Sequence, residues 1–174
     1  MMKRVVTLLV LMSFLTFGTT RQELIITKTL SYEGVQKYGQ SVRGIELSTL
    51  KTYNKLKGTN WKLNTLKHWQ AVEILKELYW YDRYNYINDD KVLQFIFDFA
   101  MNTSPEKAYR LMHKAFGLEQ KPYFSLELVG EINKTPKKTA LKKLYNVRLN
   151  YMKSLSSWQT HSKGWLKRLD SLVR

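Results

Sequence analysis

The chain has 174 residues, 44% of them hydrophobic, which is enough for one buried core once an apolar N-terminal stretch is set aside. Lys and Arg number 29 against 14 Asp and Glu, a formal net charge of +15, so the surface attracts polyanions: nucleic acid, anionic lipid or anionic wall polymer. The absence of cysteine excludes disulfide frameworks, thiolate zinc sites and cysteine nucleophiles.

His68, His113 and His161 lie too far apart in sequence for a local pair of metal ligands, so no metal and no cofactor is expected. At the N-terminus, Lys3-Arg4 precedes an apolar run, Val5 to Phe17, closed by Gly18. A charged start and an apolar centre make residues 1–20 a signal peptide or N-terminal membrane anchor. The run is shorter than the ~20 residues of a spanning helix, and Ser13, Thr7 and Thr16 dilute it. The chain is therefore expected to be exported, either to the periplasm or tethered to the inner membrane.

Leu24, Ile25, Ile26, Leu30 and Tyr32 follow helical rather than alternating spacing, and this helix delivers Glu33-Gly34 at its end. Val35 to Arg43 lacks periodicity and reads as a loop or small hairpin. Helix resumes from Gly44 to Leu50 and breaks at Gly58-Thr59-Asn60. Asn64-Thr65 offers caps for a long helix carrying Leu66, Trp69, Val72, Ile74, Leu75, Leu78 and Tyr79.

Asn88-Asp89-Asp90 starts another helix, apolar nearly all round from Val92 to Met101, which belongs in the middle of the fold. Ser104-Pro105-Glu106 is a cap followed by a first-turn proline, and Gly117 stops the helix that it opens. Leu118 to Thr135 is left undecided, broken by Pro122, Gly130 and Pro136. Lys137 to Leu155 reads as a basic amphipathic helix, and Gly164 to Val173 as a shorter one. From Ile132 to Arg174 the chain holds eleven Lys/Arg and one acid, Asp170, so this end is suited to an anionic envelope surface. The export-like start sets nucleic acid aside.

Tyr32-Glu33-Gly34 resembles the start of the Glu-Gly-Gly-Tyr signature of the glycosyl hydrolase 108 family of N-acetylmuramidases, lysozyme-like enzymes that include phage endolysins. The resemblance runs on through Arg43-Gly44-Ile45, Tyr79-Trp80 and Phe97-Asp98-Phe99-Ala100-Met101-Asn102. It continues through Ala115-Phe116-Gly117, then Arg148 with Tyr151, and Gly164-Trp165-Leu166 with Arg168, so that it spans roughly Ile25 to Leu172. It implies a mainly α, lysozyme-like helical domain with a basic helical C-terminal end: a catalytic core over 21–117 and a peptidoglycan-binding-like region over 118–174 packed on it.

The activity so implied is hydrolysis of the β-1,4 bond between N-acetylmuramic acid and N-acetylglucosamine in peptidoglycan strands. Glu33 is then the catalytic acid, and Tyr79, Trp80 and Asn102 are substrate-binding residues. Such cleavage needs a proton on the leaving oxygen and a second group to stabilise an oxocarbenium-like centre. Glu46 and Asp98 are the carboxylates open to that second role, Asp98 reading as the more structural by resemblance. Alternatively, Tyr38, Ser41 or backbone groups position water. Val35 to Arg43 carries no acid and departs from the family's acid-Gly-Gly-x-Thr stretch. The alternative reading is therefore a non-catalytic wall-binding or structural descendant in an envelope or virion assembly.

Overall fold

The computed structural model describes residues 19–33 and 41–174, so the export-like stretch and the segment 34–40 lie outside the described residues. Helix α1 spans Arg21–Glu33 and buries Ile25, Ile26 and Leu30, as its spacing predicts. Strands β1 (Ser41–Val42) and β2 (Ile45–Glu46) pair antiparallel around Arg43 and Gly44, whose φ values are 54° and 72°. Two successive positive φ values mark a tight primed turn, which matches the twist of the strands it joins. The described end of the expected loop or hairpin opens a hairpin, but its turn and second strand take up Gly44 to Glu46, expected as helix. α2 (Leu47–Lys57) therefore starts three residues later than expected, after strand pairing has claimed Ile45 and Glu46. Gly58 ends α2 with φ of 64°, which turns its N–H back to the Asn54 carbonyl.

The expected caps at Asn64 and Thr65 require correction. Leu63–Thr65 is a 3-10 turn, and α3 starts at His68 and runs to Tyr79, with the Gln70 side chain accepting from the Lys67 N–H. The reason lies at Leu66, which is extended and buried and offers its carbonyl to Arg43 Nε at 3.2 Å. That tertiary demand interrupts the helix that local pattern alone extends.

After a second 3-10 turn over Asp82–Tyr86, α4 runs from Asp90 to Met101. Asp89 is its cap: the carboxylate accepts from the N–H groups of Lys91 and Val92 and pairs with Lys137 Nζ at 2.8 Å. Burial pushes the Asp89 carboxyl upward, but Lys137 and the two backbone donors outweigh it and hold the group below the ordinary aspartate range. A depressed native value means stability present above the unfolded value, about 4, and lost as pH falls through the folded value. Asp89→Ala is therefore expected to cost about 1 kcal/mol at neutral pH and less below pH about 3. Urea unfolding at the two pH values checks both the size and the sign.

α5 (Pro105–Ala115) follows the Ser104 cap, and the chain turns at Gly117 with φ of 76°. Within the undecided stretch, Ser125 caps α6 (Leu126–Lys134) and its hydroxyl also meets His113 Nε2 at 2.9 Å. With Nδ1 at 2.7 Å from the Tyr109 carbonyl, buried His113 is a satisfied core histidine, whereas His68 and His161 are exposed. α7 spans Lys137–Lys153, and α8 spans Trp158–Ser171. Gly164 thus stands inside the last helix rather than at its start. Trp158 and Trp165, two turns apart, pack with ring centres 6.3 Å from each other and carry the helix across the glycine.

The protein is mainly α, with eight helices and one short hairpin among the described residues and a basic helical C-terminal end. α4 lies at the centre against α1, α5 and α7, and every residue from Val92 to Ala100 is buried. α8 packs on α7, and the hydrophobic core is continuous from Ile25 to Leu172. Among the described residues no helix is long and apolar enough to cross a membrane.

Candidate active site

The last turn of α4 carries Asp98, whose side chain is entirely buried. A buried carboxylate is tolerated only when paired and hydrogen-bonded. Arg148 on α7 reaches its Oδ1 at 2.7 Å, and Arg168 on α8 reaches its Oδ2 at 2.7 Å through Nη2 and 3.1 Å through Nε. The Arg148 guanidinium is held between Phe95 and Phe99, 5.7 and 5.3 Å from their ring centres. Arg168 lies 5.9 Å from the ring centre of Tyr32, the residue before Glu33. Asp98 therefore ties α4, α7 and α8 together. That engagement leaves Asp98 a structural carboxylate, whereas Glu46 lines an open cleft.

One turn on, Asn102 closes α4, its N–H and side-chain Nδ2 donating to the Asp98 carbonyl at 3.1 and 2.9 Å. From that point two clefts open. The first, of about 400 Å³, is lined by Ser41 and Glu46 of the hairpin, Thr49 of α2, Tyr79 of α3, and Asn102 with Thr103. Its neighbour, of about 270 Å³, is lined by Asn102, Thr103, Arg148, Tyr151, Trp165 and Arg168. The two share Asn102 and Thr103 at the end of α4; the first is mainly polar with the Tyr79 ring in its wall, and the second is more apolar, walled by the rings of Tyr151 and Trp165. Such a combination of amides, hydroxyls and rings suits a sugar, whose hydroxyls need partners and whose faces are apolar.

Of the residues singled out in the sequence, Ser41, Tyr79 and Asn102 are brought to one cleft, together with Glu46. Trp80 is not: its ring packs on Tyr84 and Phe97 at 5.5 and 5.7 Å between centres, within the aromatic core. Glu33 is the final residue of α1, directly after Tyr32, while its side chain and Tyr38 lie outside the described residues.

Sequence reasoning missed Thr49 and Thr103 as lining residues, and did not foresee Tyr151 and Trp165 walling the second cleft. A signal was present: Arg148 with Tyr151, and Trp165 with Arg168, each stand three apart and so share a helix face. They were read as part of a binding region, not as walls of the same cleft.

A larger cleft of about 600 Å³ lies between α1 and α3, lined in part by Glu23, Trp69, Glu73, Lys76 and Glu77. Its carboxylates are engaged: Glu23 with Lys76 at 3.6 Å, Glu77 with Lys57 at 2.9 Å, and Glu73 with the Tyr53 hydroxyl. Burial and the Glu73 contact push the Tyr53 hydroxyl well above the ordinary phenol value. Volume alone does not make this the candidate site: His68, Trp69 and Val72 line it, but none of the residues expected to bind or cleave substrate does.

No family model matches the chain, and no curated protein matches it. The fold is similar to that in the solved structure of Brucella abortus SagA, with 22% sequence identity and a TM-score of 0.68. That likeness covers 87% of this chain and 91% of the other.

Proposed function

We propose that the chain is a muramidase, a divergent relative of the glycosyl hydrolase 108 enzymes, which cleaves the β-1,4 bond between N-acetylmuramic acid and N-acetylglucosamine in peptidoglycan. The observation that carries this reading is the convergence of Ser41, Glu46, Tyr79 and Asn102, from three separate segments, on one polar cleft. The adjoining cleft reaches Arg168, against which Tyr32 at the end of α1 is packed. Glu33 follows Tyr32 in the chain, and its proposed role is to protonate the leaving glycosidic oxygen.

Glu46 is the proposed second carboxylate, because it lines the cleft while Asp98 is committed to two arginines. Whether Glu46 attacks the sugar or activates a water sets the stereochemistry of the product. Tyr79, Tyr151 and Trp165 supply rings for sugar faces, and the Asn102 amide and the Ser41 hydroxyl supply partners for acetamido and hydroxyl groups. In the same reading residues 1–20 carry the chain out of the cytoplasm, and the basic C-terminal helices hold it at an anionic envelope.

The test is release of reducing ends from purified peptidoglycan by the wild-type chain and by Glu33→Gln. Equal release by both would remove the role assigned to Glu33. Retention on peptidoglycan with no soluble fragments from the wild type would favour the non-catalytic wall-binding descendant instead.

A further inference from the structure

α5 and α7 pack against each other antiparallel, a direction fixed by two contacts across their seam. Lys107 Nζ lies 6.0 Å from the centre of the Tyr151 ring, and Lys143 Nζ lies 5.0 Å from that of Phe116. On α5, Lys107, Arg110 and Lys114 stand at i, i+3 and i+7, a spacing that aligns them on one exposed face. Across the seam, α7 presents Lys143 and the exposed amides of Asn146 and Asn150, again at helical spacing.

Glu106 is the one acid in α5, and α7 has none. Among the described residues none of these four cations makes an ion pair with a carboxylate. The α5 row runs for about 10 Å at 1.5 Å per residue. It ends at Tyr151, which also lines the cleft beside Asn102.

We infer that this seam is a docking trough for a linear phosphodiester polymer of the cell envelope, one that leads toward the cleft proposed for the glycan. Ammonium and guanidinium groups about one helical turn apart meet successive phosphates, and the two asparagines offer donors and acceptors to the hydroxyls between them. The aromatic rings under Lys107 and Lys143 limit the wandering of their ammonium groups, which lowers the ordering cost of binding.

A membrane surface fits less well. Binding in the plane of a bilayer needs exposed apolar anchors, and no exposed large hydrophobic residue lies on α5 or α7. Single-stranded nucleic acid asks for exposed rings on which bases stack, and none is present on the seam. The identification of the polymer with the envelope rests on the muramidase reading; the anion-binding trough does not.

The test measures binding of purified poly(glycerol phosphate) to the full chain and to two triple variants that lose the same charge. One is Lys107→Gln, Arg110→Gln, Lys114→Gln in the trough. The other is Lys51→Gln, Lys55→Gln, Lys62→Gln, exposed lysines elsewhere. The trough variant is expected to bind tenfold or more weakly near physiological salt. Its plot of log affinity against log salt should flatten by about 2, the share of three lost phosphate contacts on a flexible strand.

The control variant should keep the wild-type slope, and both should unfold at the wild-type temperature. Equal weakening by both variants, or unchanged binding by the trough variant, would overturn the inference. So would trough-dependent affinity for anionic phospholipid vesicles or single-stranded DNA that equals or exceeds that for the polymer. The readout is binding, so a chain inactive on peptidoglycan still tests the trough. An active chain with unchanged polymer binding removes the trough alone.

Discussion

Asp98→Ala is expected to lower the unfolding free energy by about 3–5 kcal/mol, the size typical of removing one partner from a buried ion pair. The loss arises less from the missing attraction than from what remains. Arg148, 5% exposed at its side chain, and Arg168, 17% exposed, would keep their charge at the end of α4 without the carboxylate that spans them. Asp98→Asn keeps the shape but not the charge and should fall between the two. Replacing both Asp98 and Arg148 by Leu and Met should recover part of the loss, since apolar substitutes for a buried pair are often close to neutral. Urea unfolding followed by circular dichroism measures all of these. A loss under about 1 kcal/mol for Asp98→Ala would show that the cluster relaxes into solvent instead of holding three helices together.

Glu33→Gln is expected to cut turnover on peptidoglycan by about 10²–10⁴-fold, the usual contribution of a positioned general acid, with the unfolding midpoint unchanged. Glutamine has the same shape but brings no transferable proton, so binding to the wall should persist while fragment release falls. Glu46→Gln distinguishes the two ways of using a second carboxylate. If Glu46 attacks the sugar, the wild-type product keeps its anomeric configuration and added azide partly rescues an alanine variant. If it activates water, the configuration inverts. Proton NMR of the first-formed product reads the outcome directly. Wild-type activity in Glu46→Gln would leave Glu33 as a lone acid, with water positioned by hydroxyl or backbone groups.

Much of the helical framework is legible in the sequence, for local reasons. The cap at Asp89, the Ser104-Pro105 start and the stops at Gly58 and Gly117 are set by backbone groups within a few residues, and the structure has all of them. The all-round apolar character of Val92 to Met101 likewise marks α4 as the central helix before any contact is known. Where distant groups decide, pattern misleads: Leu66 is pulled out of helix by burial and by Arg43, and Gly164 is carried inside α8 by tryptophan packing.

The site shows the same division. Tyr79 and Trp80 are adjacent aromatics, equally plausible as sugar platforms, and only packing reveals that one lines the cleft while the other is held in the core. The pairing of Asp98 with Arg148 and Arg168 joins three helices far apart in the chain, and no local rule links them.

That three-helix tie bears on the order of events during synthesis. The Asp98 carboxylate leaves the ribosome well ahead of Arg148, and further ahead of Arg168. Until both arrive, closing the last turn of α4 against its neighbours would strand a negative charge in a dry interior. A nascent chain extending only to Gly117 would lack both partners of its buried carboxylate, so the final packing of α4 is expected to follow the arrival of the C-terminal helices.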